Sequence, residues 1–319
     1  MSKTLSIVLG QHGQVQDLRS GDVQVDGFKL AFTEVERMPD VYRAMARSQP
    51  YDVCEMAPTA YLMARAGGAP ITALPLPMTR RFRHGGVKRL RHSVVRQPKD
   101  LEGRAIGLRT YSVTAAVWTR GVYADEYGLD PDKVTWLTQE EENVASFSLP
   151  ANVRCVGKQA SFATMLRDGQ IDAVFAGLAG GAQELEDELV EVVDDAALAE
   201  RKWYERTGIY PLHGLIVVRN DVLAANPHLP MALFEAFSAA KDHYLARVRS
   251  GAADGAEDRR YLKLATLVGD PLPYGINENL ASFDALIRYA HRQKLIDSAP
   301  ALNEVVLDPR QVLTQKVQA

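Results

Sequence analysis

The sequence predicts an α/β protein of two lobes, joined by a hinge and enclosing a central cleft, on three observations. The first is size: 319 residues, at about 150 per domain, make two domains or one large one divided by a cleft. The second is the alternation of short, fully apolar runs with stretches at helical spacing, as expected where helices cover a largely parallel sheet. The third is a recurring phrase: YDVCEM (51–56) and IDAVFA (171–176) each follow a helical stretch, so both halves carry strand, helix and strand in the same order.

Taken in order, Leu5 to Leu9 reads as a short buried strand ending at Gly10, followed by a polar loop with Gly13 and Gly21. Pro39 opens a helix with Val41, Ala44, Met45 and Ala46 on one face, the strand Tyr51 to Met56 comes next, and Pro58 and Thr59 start another helix. Ile71 to Pro77 is a proline-punctuated strand. Pro98 to Gly103 form a short helix and turn before the strand Arg104 to Leu108, and SVTAAVWTRGVYADEYG (112–128) reads as a helix. Phe162, Met165 and Leu166 lie on a helix capped at Gly169, ahead of the strand Ile171 to Phe175. Leu215 to Val218 is a later strand, after which Asn226 and Pro230 introduce a helix with Leu233, Phe234, Phe237 and Tyr244 on one face. Residues 250–260 fit a solvated loop or helix start, and Phe283, Leu286, Ile287 and Ala290 mark one more amphipathic helix. Two chain crossings then assign residues 1–96 and 214–319 to lobe 1 and 97–213 to lobe 2.

Apolar residues at 46% and charged residues at 24%, with Gly 23 and Pro 16, are ordinary globular values and exclude a disordered, collagenous or coiled-coil chain. Lys plus Arg number 37 against 40 Asp plus Glu, so the net charge of −3 provides no positive field for nucleic acid or an anionic membrane. A small molecule is the expected partner. Cys54 and Cys155 are too few for a disulfide framework and read as two reduced, buried thiols. The apolar stretch at the N-terminus is shorter than the about 7 to 15 residues of a secretory h-region. No run approaches the about 18 apolar residues of a membrane span, and the reading is a cytoplasmic protein.

The densest polar cluster is TRRFRHG (79–85), where Arg80, Arg81 and Arg83 precede His84. Guanidinium groups on a strand-to-loop segment suit a carboxylate-bearing ligand, and imidazole is the side chain best poised for proton transfer near neutral pH. The plain alternative is a solvated basic turn. In RTYSVTAAVWTRG (109–121), Ser112 or Thr114 can cap a helix whose first N–H groups bind an anion, and Thr114, Trp118 and Gly121 share a face; capping and core packing by Trp118 account for the same residues. Glu55 ends a buried strand just before the helix start at Thr59, where open α/β sheets place ligands, and can act directly or pair with an arginine. His213 follows Tyr210-Pro211 at the recrossing strand, and His12 after Gly10 is a similar case; a lone histidine is also a common core residue. No HxH or HExxH spacing indicates a metal, and neither GxGxxG nor GxxxxGK[ST] indicates a nucleotide.

The phrases YDVCEMAPTAYLMAR, RFRHGGV, KDLEGRAIG, YSVTAAVWTRG, EYG, ERTGIYPLHGLIVVR and PYGINENLASFDALIRYAHRQKL, spread over most of the chain, closely resemble the 4,5-dihydroxyphthalate decarboxylase family. The resemblance implies a type II periplasmic-binding-protein-like fold used by a cytoplasmic enzyme of aromatic catabolism, and it implies an assembly of identical chains. After Trp136 the chain departs from the family: it reads LTQEEENVASFSLP (137–150) in place of a glycine-rich segment, which bears on substrate identity more than on fold.

The implied reaction converts 4,5-dihydroxyphthalate to 3,4-dihydroxybenzoate, a carboxy-lyase step. Each carboxylate sits para to a hydroxyl, so a base at the phenol and an acid at the ring carbon suffice and no electron-sink cofactor is required. His84 or His213 is the expected acid, with Glu55 or the other histidine at the phenol. Arg80, Arg83 and the helix start at Thr114 are expected to hold carboxylates, with Thr59, Trp118 and His12 completing the binding set. Two further readings remain: a decarboxylase of another hydroxylated aromatic acid, and a non-catalytic dicarboxylate-binding protein.

Overall fold

The computed structural model describes residues 3–175, 185 and 187–310. The chain divides into two compact units, one made of residues 1–80, 212–284 and 300–319, the other of 81–211 and 285–299.

In the first unit, the strands β1 (Lys3–Val8), β2 (Phe28–Phe32), β3 (Val53–Met56), β4 (Ile71–Arg80) and β11 (Leu212–Arg219) form one sheet in the order β2-β1-β3-β11-β4. The second unit's sheet runs β10-β5-β9-β6-β7-β8, from β5 (Val87–Leu90), β6 (Ala105–Leu108), β7 (Thr135–Thr138), β8 (Val153–Cys155), β9 (Ala173–Phe175) and β10 (Leu189–Glu191). Helices α1 (Gln16–Ser20), α2 (Met38–Arg47) and α3 (Pro58–Ala66) belong to the first unit; α4 (Thr114–Tyr127), α5 (Phe162–Arg167) and α6 (Ala196–Thr207) belong to the second. The remainder are α7 (Asn220–Ala225), α8 (Leu229–Ser250), α9 (Ala256–Val268), α10 (Leu280–Arg292) and α11 (Leu302–Val305). Among the described residues no helix is long and apolar enough to cross a membrane.

The sheets are mixed where the sequence predicts largely parallel ones. β1 pairs in parallel with β2 and β3, and β6 with β7 and β9, each pair spanned by a crossover. β11 is antiparallel to β3 and β4, and β5 to β9 and β10. These two strands are the first that the chain lays down on passing into each unit, so no helical crossover fixes their direction.

The unit boundaries differ from the expected ones. They fall after Arg80 and Pro211, where the expectation puts them at 96 and 213, because β5 hydrogen-bonds into the second sheet. Residues 285–299 also join the second unit: Tyr289 packs edge-on against Trp118 at 5.7 Å, and Arg120 donates to Gln293 at 2.6 Å. Of the two thiols, Cys54 is buried in β3 as expected, whereas Cys155 is exposed at the end of the edge strand β8.

The first unit's core is the apolar face shared by β1, β4 and β11 with α8: Leu5, Ile7, Leu74, Leu76, Ile216, Leu233 and Phe237 are all within 1% of full burial. A smaller core in the second unit gathers Phe162, Leu166, Ile171, Val174 and Leu185. At about 25 cal/mol per Å2 of apolar surface, clusters of this kind supply most of the drive that holds strand ends in fixed register.

Candidate active site

Parallel pairing of Ile7 with Val53 and of Val8 with Cys54 brings the carboxyl ends of β1 and β3 side by side. Strand ends of this kind are where open α/β sheets place ligands. Glu55, one residue before the end of β3 and 3% exposed, turns its carboxylate toward the chain leaving β1. Its Oε2 accepts from the Gly10 amide at 2.8 Å and lies 2.8 Å from Nε2 of His12. His12 has extended backbone (φ −110°, ψ 142°) and precedes the 3-10 turn Gly13–Val15. The turn is fixed by Arg19, which donates to the Leu9 carbonyl at 2.8 Å, and by Gln14, which donates to the Met78 carbonyl at 2.5 Å.

Two glycines make this pairing sterically possible. A Cβ at Gly10 would stand 2.7 Å from Nε2 of His12 and 3.1 Å from Oε2 of Glu55. Gly214 of β11, at φ +67°, lies against the other carboxylate oxygen: a Cβ there would be 2.4 Å from Oε1. A larger residue at Gly10 would push the imidazole off Glu55, and one at Gly214 would displace the carboxylate itself.

The electrostatics of the pair favour a protonated imidazole. Burial is the largest single influence on His12 and works against its charge, but the charge and hydrogen bond of Glu55 outweigh it, with help from Glu257, and hold its pKa above the ordinary 6.5. His12 keeps 17% of its side chain exposed, so a ligand can reach it.

The other residues singled out in the sequence fall in several settings. Thr59, 1% exposed, lies in the first turn of α3, four residues beyond Glu55. His213 is half-buried in β11 next to Gly214, opposite Thr79, whose hydroxyl donates to its carbonyl at 2.9 Å. Arg80 is 1% exposed at the end of β4; its guanidinium donates to Asn279, and its carbonyl accepts from Arg260 at 2.7 Å.

His84 belongs to the second unit and is 0% exposed. Its ring meets Trp203 edge-on at 5.2 Å, its carbonyl accepts from the Tyr123 hydroxyl at 2.9 Å, and neither ring nitrogen has a hydrogen-bond partner among the described residues. Burial, aided by the charge of Arg206, pushes its pKa down to about 4. This is an aromatic core setting, unlike the proton-transfer setting that the basic run suggests. Beside it, burial pushes Glu200 on α6 up to about 7, while backbone hydrogen bonds from Gly85 and His84 and the charge of Arg83 pull the other way.

At α4 the cap differs from the expected one. Val113 is the N-cap, without a side-chain cap, and Thr114 is the buried first residue. Trp118 is 0% exposed against Tyr289, and a Cβ at Gly121 would stand 2.3 Å from the same ring, so the face expected to meet substrate packs inside the unit. The hydroxyl of Ser112 donates to Glu142, a residue that the sequence pattern does not single out. Oε1 of Glu142 accepts from the Tyr111 amide at 2.6 Å and Oε2 from the Ser112 amide at 3.2 Å. Below them Arg120, fully buried, stacks on Tyr111 at 3.9 Å and donates to the Tyr111 carbonyl at 2.7 Å. Burial raises the pKa of Glu142 above its ordinary value, against the pull of these donors and of Arg120.

Comparison with proteins of known identity agrees with the fold and supplies a family. No family model matches the chain. A 4,5-dihydroxyphthalate decarboxylase of Comamonas testosteroni is 30% identical over 310 residues, covering 92% of this chain and 94% of the relative. A second, from Pseudomonas putida, is 31% identical over 178 residues, covering 53% of this chain and 69% of the relative. Among solved structures, the periplasmic sulfonate-binding protein SsuA of Methylobacillus flagellatus matches with a TM-score of 0.59 at 14% identity, covering 99% of this chain and 94% of that one. The desulfurization enzyme DszB, in complex with biphenyl-2-sulfinic acid, matches with a TM-score of 0.58 at 16% identity over 99% of this chain and 100% of that one. The fold is therefore that of the periplasmic binding proteins, and by its sequence the chain belongs to the 4,5-dihydroxyphthalate decarboxylase family.

Proposed function

We propose that the chain is a carboxy-lyase that removes carbon dioxide from an aromatic acid bearing a hydroxyl para to the carboxylate, 4,5-dihydroxyphthalate being the reference substrate. The observation that carries this reading is the His12–Glu55 pair, a partly exposed imidazole whose charged form is favoured by a buried carboxylate at adjacent strand ends. The curated relatives supply the reaction class.

On this reading His12 replaces His84 as the general acid. A base takes the phenolic proton, the oxygen's electrons move into the ring, and the carbon bearing the carboxylate takes a proton from the imidazolium. The C–C bond to the carboxylate then breaks, its electrons restore the aromatic ring as a phenolate, carbon dioxide leaves, and the phenolate takes back a proton. Glu55 keeps His12 charged before the transfer and stabilises the pair as the proton leaves; His213 is the assigned partner of the phenol. Arg83 is assigned to a substrate carboxylate, which guanidinium can grip with two hydrogen bonds.

The test is to mix chelator-treated protein with 4,5-dihydroxyphthalate and follow carbon dioxide together with 3,4-dihydroxybenzoate. Stoichiometric formation of both, without added cofactor, is the expected result. Absence of turnover with a ligand-dependent rise in Tm would replace the enzyme reading with that of a dicarboxylate-binding protein.

A further inference from the structure

Within the first unit, the turn that carries His12 is tied down from two sides, and both ties lead to the first turn of α9. Tyr244 of α8 packs against the residue after His12: a Cβ at Gly13 would stand 2.2 and 2.6 Å from Cε2 and Cζ of its ring. Its hydroxyl donates to Asp258, which also accepts from the Gly255 amide at 2.8 Å and so caps α9. On the other side, Gln14 donates to the Met78 carbonyl at 2.5 Å and Arg260 to the Arg80 carbonyl at 2.7 Å. Carbonyls two residues apart on a strand point the same way and lie about 7 Å apart, so β4 holds the His12 turn and Arg260 along one edge. Arg260 in turn grips Glu257, its Nε donating to Oε2 at 2.8 Å and its Nη2 to Oε1. The Glu257 side chain is 40% exposed, against 4% for that of Glu55.

We propose that Glu257 is a positioning residue for the His12 acid: a solvent-facing carboxylate, fixed by Arg260 and by the Tyr244–Asp258 tie, that keeps the imidazole supplied with protons and makes this supply sensitive to salt. The inference rests on the decarboxylase reading for its kinetic effect, but not for the titration of His12. Each decarboxylation takes one proton from His12 to the ring carbon, and the imidazole regains one from solvent before the next. Burial opposes that return, Glu55 favours it most, Glu257 adds to it and Arg19 works against it. The other charges around the turn are engaged: Lys241 of α8 with Asp242 and Asp270, His243 and Arg247 of α8 with Asp17 of α1, Arg19 with Glu34, and Arg80 of β4 with Asn279. From β11 comes His213, next to the Gly214 that lies against Glu55. The two carboxylates differ in screening: ions in solution reach Glu257 and weaken its field at His12, whereas Glu55 is shielded from them.

The experiment titrates the His12 imidazole by NMR in the full chain and in Glu257→Gln, at about 0.01 M and about 1 M sodium chloride, where charges act over about 30 Å and about 3 Å. In the unaltered protein the midpoint is expected to fall as salt rises. Glu257→Gln should start from a lower midpoint at low salt and lose most of the salt response, and Glu257→Asp, which keeps the charge, should recover part of both. Turnover of 4,5-dihydroxyphthalate gives the second readout: at low salt and at pH above the His12 midpoint, kcat of Glu257→Gln should fall by about threefold with KM little changed, the deficit narrowing as pH falls. A merely structural Glu257 would leave the His12 midpoint in place, and an unmoved midpoint in a folded Glu257→Gln overturns the proposal whatever happens to turnover. If Glu257→Gln does not fold, the unaltered protein still decides, since a His12 midpoint indifferent to salt is equally fatal. A midpoint that moves as expected, in a protein that releases no carbon dioxide, would defeat the decarboxylase reading alone.

Discussion

His12 sits 2.8 Å from the buried carboxylate of Glu55, and the pairing holds its pKa above 6.5; His84, fully buried against Trp203, has its pKa pushed down to about 4. Both imidazoles are largely withdrawn from water, and burial alone would discharge both. The carboxylate at one and the aromatic ring at the other decide the outcome. A histidine is an acid where something pays for its charge, whatever the basic character of the sequence around it, and by that criterion His12 is the proton donor we propose.

Removing the carboxylate is the largest break in this contrast. Glu55→Gln leaves His12 with burial as its dominant influence, so its pKa falls below 6.5 and turnover drops by about 10² to 10⁴-fold, with KM changed much less. The sign in pH follows: a general acid works below its pKa, so kcat of the unaltered enzyme declines as pH rises through the His12 value, and in Glu55→Gln that decline moves to lower pH. An NMR titration of the His12 imidazole measures the shift directly, and an unmoved midpoint would refute the coupling.

His84 should act on stability in the opposite direction. Its folded pKa of about 4 lies below the unfolded 6.5, so as pH falls through that window the unfolded chain takes up a proton that the folded chain refuses. The cost reaches about 3 kcal/mol once pH 4 is approached. His12, with its folded value above 6.5, gives stability that is full below pH 6.5 and lost as pH rises through the folded value. Urea unfolding at pH 7 and pH 4.5 separates the two: His84→Phe should lessen the loss on acidification, and an identical acid sensitivity in the variant would show that the ring is not the group responsible.

Gly10→Ala sharpens the comparison from the steric side. Its Cβ would fall 2.7 Å from Nε2 of His12, so the imidazole must move off Glu55. Turnover is expected to fall by up to about a hundredfold, the scale of a catalytic group misplaced by about 1 Å. Retained activity would mean that the hydrogen bond to Glu55 is dispensable.

Much of this arrangement is legible in the amino-acid sequence. YDVCEM marks a buried strand with a carboxylate at its end, and Pro58-Thr59 the helix behind it, because apolar runs and helix starts are local signals. Helix α6 is not legible, because only Trp203 among its residues is buried, leaving no apolar stripe to detect. Glu142 is hidden for a related reason: within Glu140-Glu141-Glu142 it reads as one more solvated charge, and only the chain's return to Arg109 shows that it enters a turn. His84 shows the same limit, since its burial comes from Trp203 and Tyr123, both distant in sequence. Pairings of this kind are set by tertiary contact and leave no periodic trace.

The smallest expected effect concerns Arg83, whose charge acts on Glu200 beside the His84 turn. If Arg83 holds a substrate carboxylate, its work is done equally in ground and transition states, so its loss should raise KM and leave kcat nearly unchanged. Arg83→Met is expected to raise KM by about tenfold, and Arg83→Lys to recover part of that, because an ammonium keeps the charge but loses the two-pronged grip. Should kcat fall instead while KM holds, Arg83 would belong with the proton-transfer machinery and not with substrate binding.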